Sequence, residues 1–264
     1  MKLVILENYD EISRWTARYI AKKINDYKPS SGNPFVLGLP TGSSPVGTYN
    51  ELVEIYNSEK ISFENVVTFN MDEYVGIDED HPESYHNYMH RNFFGKVNIN
   101  ERSIHIPNGN APDLIKECKS YEDKIKYYGG IELFLGGMGA DGHIAFNVPG
   151  SSMSSGTRLV NLNYETIAAN ARFFDDDITK VPKQALTVGV KTIMDAREVV
   201  ILVSGLNKAR ALQHVVEGGT NHMWTLSALQ NHPNAVIVCD EKATWELKVG
   251  TVKYFKELNN AENL

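Results

Sequence analysis

The feature that most restricts the fold of this chain is a series of short, uninterrupted apolar segments separated by stretches with helical periodicity. The segments cover residues 3–6, 35–39, 66–69, 133–135, 199–203 and 235–238. Strands that are apolar throughout, rather than at alternate positions, are typical of parallel sheets buried on both faces. The helical stretches between them supply the crossovers that parallel strands need. We therefore predict an α/β fold with a mostly parallel sheet and helices on both of its faces.

Length and composition narrow the class of protein. The 264 residues contain no internal repeat and no linker-like segment, so residues 1–264 are expected to form one domain. The net charge is −7 without a basic block, which disfavours nucleic acid and membrane surfaces as partners. No signal-peptide core or 18-residue apolar run occurs, so we expect a cytoplasmic protein. The only cysteines, Cys118 and Cys239, are expected to be reduced and partly buried.

The loop after the second apolar segment is a candidate anion site. Gly42, Ser43 and Ser44 lead into a helix predicted from about residue 45 to residue 56. Free backbone N–H groups and the dipole at such a helix start attract phosphate-sized anions. An ordinary turn with a serine N-cap is an equally good interpretation of this loop alone. The spacings of nucleotide and dinucleotide loops are missing, so we expect an anion smaller than a nucleotide.

Two acidic residues, Asp72 and Glu73, follow the third apolar segment at the sheet edge where ligands usually bind. A partly buried carboxylate there is a candidate general base, although a helix cap or a solvated turn is the commoner role of such a pair. His86 and His90 have a spacing that could place two metal ligands on one helix face. Because no third ligand accompanies them, we favour surface or interface histidines and expect no metal.

The glycine-rich segment 136–147 is the most informative part of the sequence. Four of its glycines surround Asp141 and His143, a spacing at which a carboxylate can orient an imidazole for proton transfer. So many glycines are hard to explain by turns alone, which favours a functional interpretation. Further along, Arg172 and Lys208 add positive charge that could neutralise a phosphate.

Six separate segments together resemble the glucosamine-6-phosphate deaminase family over essentially the whole chain. They are residues 37–42, 67–74, 81–85, 141–147, 185–189 and 221–225. The resemblance implies a single-domain, modified doubly wound sheet and an enzyme that converts glucosamine 6-phosphate and water to fructose 6-phosphate and ammonia. It implies ring opening, aldose–ketose isomerisation and loss of the amine, without metal or organic cofactor. A sugar phosphate is the expected partner, and the larger enzymes of the family are homo-oligomers, usually hexamers.

The resemblance also implies roles for individual residues. Asp72 is the expected enolisation base, and His143, supported by Asp141, is expected to move the ring-opening proton. The expected substrate-binding residues are Gly42, Ser43, Ser44, Arg172 and Lys208.

Several positions depart from the family pattern. Val148 stands where the family has a glutamate that supports the histidine, so ring opening is expected to be impaired. Ser151, Ser152, Arg158 and Tyr254 match the region that binds the activator N-acetylglucosamine 6-phosphate in regulated members, whereas Gly156 and Val160 replace the usual arginine and lysine. The activator site is therefore expected to be incomplete. Lys191 replaces a usual glycine.

Two other functions remain open from the sequence. A sugar-phosphate-binding protein with decayed catalysis is favoured by Val148 but disfavoured by the presence of Asp72, Asp141 and His143. A 6-phosphogluconolactonase-like hydrolase on the same fold is disfavoured by segments 70–74 and 221–224.

Overall fold

The computed structural model describes residues 1–262. These residues contain ten strands and eight α-helices, joined by loops and short 3-10 helices. The strands are β1 (Lys2–Leu6), β2 (Phe35–Leu39), β3 (Val66–Asn70), β4 (Asp72–Tyr74), β5 (Ile104–His105), β6 (Leu133–Gly137), β7 (Arg158–Asn161), β8 (Gln184–Thr187), β9 (Val199–Val203) and β10 (Ala235–Asp240). The helices are α1 (Tyr9–Tyr27), α2 (Val46–Asn57), α3 (Tyr85–Asn92), α4 (Leu114–Tyr127), α5 (Tyr164–Asn170), α6 (Val190–Met194), α7 (Ala209–Glu217) and α8 (Val249–Glu262).

Seven strands form one sheet in the order β1-β10-β9-β6-β2-β3-β5, and every neighbouring pair is parallel. All six apolar segments of the sequence are strands of this sheet, so the predicted parallel sheet is confirmed. The edge strand β5 was not predicted because two residues are too few to form a pattern.

Helices cover both faces of the sheet, as predicted. Along β9, Val199 and Ile201 belong to one apolar core, whereas Val200 and Leu202 belong to the other. Successive strand residues point to opposite faces, so a strand buried on both faces has to be apolar at every position. Helices α4, α6 and α7 supply Tyr121, Ile193 and Leu212 to the first core, and α1, α2 and α3 supply Ile12, Leu52 and Met89 to the second.

A second, three-stranded antiparallel sheet in the order β4-β8-β7 was not predicted. Its strands are three or four residues long and partly polar, which leaves no hydrophobic period to recognise. Strand β4 begins one residue after β3 ends, and Met71 between them donates its N–H to Leu39 and accepts one from Val188. The acidic pair expected in a loop therefore lies on a strand beyond the carboxyl edge of the main sheet.

Two further observations concern the chain as a whole. Cys118 and Cys239 are both free and buried, as expected. Within residues 1–262, no helix is both long enough and apolar enough to cross a membrane.

Candidate active site

A cavity of about 650 Å³ opens beyond the carboxyl ends of β2, β6 and β9. This is the edge where a parallel α/β sheet binds its ligands. The structure brings all the predicted catalytic and substrate-binding residues to this one cavity, since its lining includes Gly42, Ser43, Ser44, Asp72, Asp141, His143, Arg172 and Lys208.

Asp72 is the buried carboxylate of the site. It is the first residue of β4 and only 7% exposed, and its neighbour in the second sheet is Thr187 of β8. Burial raises the pKa of Asp72 to about 8, with a smaller contribution from the negative charge of Glu73. A carboxylate with a pKa near 8 is a much stronger base than an ordinary one, which suits proton abstraction from carbon near neutral pH.

Glu73 has a different role from its neighbour, because successive strand residues face opposite ways. Asp72 and Tyr74 line the cavity, whereas Glu73 points away from it. Its Oε1 atom accepts N–H groups of Tyr74 and Tyr85 at 2.8 and 3.0 Å, and Oε2 accepts that of His86 at 3.0 Å. Burial raises the pKa of the Glu73 carboxyl, although these three hydrogen bonds oppose the shift.

The histidine of the site is oriented from within its own loop. Nδ1 of His143 lies 2.5 Å from Oδ1 of Asp141. Burial alone would raise the pKa of Asp141, but the hydrogen bond and charge of His143 outweigh burial and lower it. An ionised Asp141 accepts a hydrogen bond from the Nδ1–H group, which leaves Nε2 of the imidazole for proton exchange with a ligand.

Position 139 of this loop has room only for glycine, because His143 and Asp141 pack against it. A Cβ atom at position 139 would lie 2.3 Å from Nδ1 of His143 and 2.7 Å from Oδ1 of Asp141. The backbone N–H of Gly139 also donates to the carbonyl of His143 at 2.9 Å. The glycine therefore allows the backbone to close against the pair that it holds.

The loop before α2 is held on two sides by tyrosines. Tyr88 of α3 donates its hydroxyl to the Gly42 carbonyl at 2.6 Å, and the Tyr9 hydroxyl lies 3.1 Å from the carbonyls of Ser43 and Ser44. Gly42 has φ +93°, a conformation that favours glycine. Pro45 occupies the N-cap position of α2 without a side-chain cap, so the serine-cap interpretation is wrong. The Tyr9 hydroxyl instead accepts the Gly47 N–H in the first turn of α2 at 2.9 Å.

Two cations border the cavity on the side of Asp141. Burial lowers the pKa of Lys208, and the nearby Arg172 lowers it further, whereas Asp141 acts in the opposite direction. Arg172 is exposed and its guanidinium carbon lies 4.7 Å from the Phe173 ring centroid. Within residues 1–262 neither cation has a carboxylate partner within ion-pair distance. Their charge is thus available to an anion.

Sequence reasoning missed two parts of the lining. Tyr85 and Tyr88 come from α3, and Ser84 before them caps that helix by accepting the Asn87 N–H at 2.9 Å, a signal the sequence did contain. The segment from Asn163 to Phe174 also borders the cavity, although only its Arg172 was predicted. Asn170 of this segment donates to the Tyr74 hydroxyl at 2.8 Å. Short polar helices of this kind carry little sequence signal.

The residues expected to form an activator site are not all together. Arg158 of β7 donates to Oδ1 of Asn147 at 2.8 Å, and β7 packs beside α4. Tyr254 is exposed on α8, which packs beside β1 at the opposite edge of the sheet from β5. In the described part of the chain no hydrogen bond or ring contact joins Tyr254 to Ser151, Ser152 or Arg158. Tyr254 therefore lies on a different element of the single chain from the other three.

The remaining residues singled out in the sequence lie outside the cavity lining. Val148 is half-buried, and its carbonyl accepts the Ser151 N–H at 3.0 Å. Lys191 forms an ion pair with Asp195 one turn later on the surface of α6. His86 and His90 lie on α3 with ring centroids 4.7 Å apart. Residues 1–262 contain no group of three or more side chains arranged to hold a metal ion.

Comparisons with known proteins show the family to which the chain belongs. The model of the family described as glucosamine-6-phosphate isomerases/6-phosphogluconolactonase matches residues 7–245. A protein of Borreliella burgdorferi (strain ZS7) named glucosamine-6-phosphate deaminase is 60% identical over 258 residues, which cover 98% of this chain and 96% of the relative. A protein of the same name from Phocaeicola vulgatus is 59% identical over 261 residues, 99% of each chain.

Solved structures show the same relationship. A structure described as a monomeric glucosamine-6-phosphate deaminase superposes with a TM-score of 0.89 at 40% identity, covering 93% of this chain and 100% of the other. The 6-phosphogluconolactonase of Trypanosoma cruzi reaches a TM-score of 0.72 at 20% identity, covering 94% and 97%, and shares the fold. This chain therefore belongs to the family of glucosamine-6-phosphate isomerases and 6-phosphogluconolactonases.

Proposed function

We propose that this protein is a glucosamine-6-phosphate deaminase, which converts glucosamine 6-phosphate and water to fructose 6-phosphate and ammonia. One observation carries the proposal: a buried carboxylate with a raised pKa shares a cavity with a His–Asp pair, a helix-start loop and two cations. An isomerising deamination of a sugar phosphate needs two proton-transfer groups and a phosphate site. Relatives about 60% identical over nearly the whole chain bear the name of this activity.

Phosphate recognition falls to the loop of Gly42, Ser43 and Ser44. The Gly47 N–H at the start of α2 is bound by Tyr9, so the loop and the other first-turn N–H groups are the ones proposed to bind the anion. Arg172 and Lys208 supply countercharge. This placement puts the sugar of the substrate between the loop and the two acid–base groups.

Ring opening is assigned to His143. A closed pyranose opens when the proton of the C1 hydroxyl is removed and a proton is delivered to the ring oxygen, while the C1–O5 bond breaks. An imidazole held through Nδ1 by Asp141 can perform both transfers through Nε2. The product is the open-chain aldehyde.

Isomerisation is assigned to Asp72. The carboxylate removes the proton from C2, the electrons of that bond form a C1=C2 double bond, and the aldehyde oxygen takes a proton. Return of the proton to C1 moves the double bond to the C2–N bond. Water then adds to C2, and ammonia leaves as the C2 carbonyl forms.

The alternative functions are disfavoured. The lactonase structures are 20% identical or less and share only the fold, whereas the deaminase relatives match almost from end to end. A decayed binding protein would not need a base with a pKa raised to about 8 beside an oriented histidine. Val148, in place of the family glutamate, leaves Asp141 as the carboxylate that orients His143, and we propose that it slows ring opening.

We also propose that the chain forms a homo-oligomer, with the hexamer of the larger family members as the expected state. Exposed apolar side chains near and on α8 support this, namely Trp245, Val249, Tyr254 and Leu258. The 40% identical relative is described as monomeric, so light scattering on the purified protein is the deciding measurement. The cytoplasmic location stays a prediction, which cell fractionation tests.

Ammonia release from glucosamine 6-phosphate tests the proposed function. We expect the wild-type protein to form fructose 6-phosphate and ammonia in equal amounts. Asp72→Asn should abolish turnover while leaving binding of the sugar phosphate nearly intact, because the substitution preserves shape and lies away from the phosphate loop. Unchanged turnover in Asp72→Asn would remove Asp72 from its assigned role, and no ammonia from the wild type would overturn the activity itself.

A further inference from the structure

Helix α3 is attached at two points of its first turn to elements of the active site. Its amino terminus is bound by Glu73, the residue next to Asp72. Tyr88 of the same helix donates to the Gly42 carbonyl in the phosphate loop at 2.6 Å. The strand that carries the base and the loop that faces the phosphate are thus joined through one short helix.

The attachment at the amino terminus is complete. The N–H groups of Tyr85 and His86 are bound by the Glu73 carboxylate at 3.0 Å, and that of Asn87 is bound by Ser84 at 2.9 Å. The Tyr88 N–H reaches the Ser84 carbonyl at 2.9 Å and starts the helical pattern. With its first-turn donors occupied, this helix start has no capacity left for a ligand anion, so Glu73 serves a structural connection.

The attachment at the phosphate loop is equally specific. The hydroxyl of Tyr88 is a donor to Gly42, whose φ of +93° turns the loop towards Ser43 and Ser44. Burial raises the pKa of Tyr88, which keeps the phenol protonated and able to donate. The Gly42 carbonyl is therefore fixed by a group whose position depends on α3.

We propose that Glu73 is a positioning residue that fixes the strand of Asp72 against α3, and that Tyr88 carries this link on to the phosphate loop, setting the separation between base and phosphate. The inference rests on the proposed function for its catalytic part. Its structural part, the coupling of Glu73 to the Gly42 loop, can be tested by ligand binding without any measurement of turnover.

The charge of Glu73 adds a second effect, because it lies beside the base and raises the pKa of Asp72 in addition to burial. The other titratable groups near the acidic pair come from several elements. Those that interact with Asp72 or Glu73 are Tyr49 of α2, Tyr74 of β4, Tyr85 of α3, Tyr121 of α4 and Glu79 in the loop before α3. The four tyrosines have raised pKa values and are neutral, so Glu73 is the negative charge adjacent to Asp72.

The test uses Glu73→Gln, Tyr88→Phe and the double variant, with Glu54→Gln and Tyr127→Phe as exposed controls from α2 and α4. Glu73→Gln keeps the shape but replaces one acceptor oxygen with a donor and removes the charge. Tyr88→Phe removes only the hydroxyl that reaches Gly42, so it leaves the buried cap intact. Thermal melts establish that each variant is folded.

The first readout is binding of glucosamine 6-phosphate at a pH where turnover is negligible, or of inorganic phosphate, by calorimetry. We expect each single variant to weaken binding by roughly three- to tenfold and the double variant to weaken it by less than the product of the two, because both act through one link. Multiplicative effects, or unchanged binding in Tyr88→Phe, would overturn the link. This readout holds whether or not the protein releases ammonia.

The second readout is the pH dependence of kcat/KM. Glu73→Gln should lower the plateau of kcat/KM and move its acid limb to lower pH, because a negative charge that raises the pKa of Asp72 is removed. Tyr88→Phe should leave the limb in place and raise KM more than it lowers kcat. If Glu73→Gln lowers thermal stability but keeps the wild-type acid limb of kcat/KM and the wild-type KM, Glu73 contributes only to the stability of the fold. The positioning role is then wrong.

Discussion

Nδ1 of His143 lies 2.5 Å from Oδ1 of Asp141, two residues earlier in the same loop. The carboxylate that orients the imidazole is therefore supplied locally, whereas Asp72 reaches the cavity from a different strand. The two acid–base groups depend on separate parts of the chain and can be altered one at a time.

Removing the charge of Asp141 should disable His143 without disturbing Asp72. We expect Asp141→Asn to lower kcat for glucosamine 6-phosphate by up to about 10⁴-fold, the loss found when the orienting carboxylate of a triad enzyme is replaced. Steady-state kinetics measures the effect. Asp123→Asn on the surface of α4 is the matched control and should retain full activity. A comparable loss in the control would show that the assay reports stability instead.

A methyl group at position 139 should also lower kcat, because it would displace His143 and Asp141 from each other. Because a Cβ there would lie 2.3 Å from His143 Nδ1, Gly139→Ala must push the His–Asp pair apart. We expect at least a tenfold loss of kcat and a destabilisation of about 1–3 kcal/mol, the usual cost of overpacking. Urea unfolding and kinetics measure both. Gly32→Ala, which meets nothing within 4 Å, should leave both quantities unchanged; full activity in Gly139→Ala contradicts the contact.

The buried Asp72 should cost stability at high pH. Its pKa is raised to about 8 in the folded chain and is near 3.9 when unfolded, so the folded state holds the extra proton between these values. Stability from this group is present below about pH 4 and is lost as pH rises to about 8. Asp72→Asn should therefore raise Tm by several degrees at pH 8.5 and by much less at pH 5, which differential scanning calorimetry compares. Equal shifts at both pH values would contradict the raised pKa.

The pKa of Asp72 also controls activity, which should increase with pH where stability decreases. Only the ionised carboxylate can take a proton from C2, so kcat/KM should rise with pH and level off above about pH 8. A pH–rate profile measures this, and a plateau already reached at pH 6 would contradict the raised pKa of Asp72.

Val148 should limit ring opening in particular. Restoring a carboxylate with Val148→Glu is expected to raise kcat for glucosamine 6-phosphate, since it adds a second acceptor near the His143 loop. The gain should be smaller for a fixed acyclic analogue, which bypasses ring opening. Comparing the two substrates in one assay separates the steps. A rate that is unchanged or lower in Val148→Glu would mean that Asp141 alone supports His143 fully.

Activation by N-acetylglucosamine 6-phosphate should be weak or missing. Gly156 and Val160 carry no charge, and the guanidinium of Arg158 is engaged by Asn147 at 2.8 Å. Each missing charge-assisted hydrogen bond removes about 1.5–3 kcal/mol of attraction for an activator phosphate. Rate curves measured with and without the ligand check this. A strongly sigmoidal curve that the ligand makes hyperbolic would contradict it.

Much of this site could be predicted because parallel strands end at one edge. Residues far apart in the sequence, such as Gly42, His143 and Lys208, were expected together on that ground and do line one cavity. The structural role of Glu73 could not be predicted, because it depends on β4, a three-residue strand with no apolar pattern. Tyr254 shows what a motif match cannot predict. The match does not tell whether Tyr254 and the other activator-region residues come together within one chain.

The position of β6 in the sheet has a consequence for folding. This strand leads into the His–Asp loop, yet its neighbours are β2 and β9, which come from distant parts of the sequence. Contacts of such long range close late, because the entropy of loop closure is lost before the contacts stabilise the sheet. During refolding, the helical signal should return well before the ability to turn over substrate. We therefore expect a newly made chain to stay inactive until β6 has paired with β2 and β9, because that pairing brings the His143 loop to the phosphate loop.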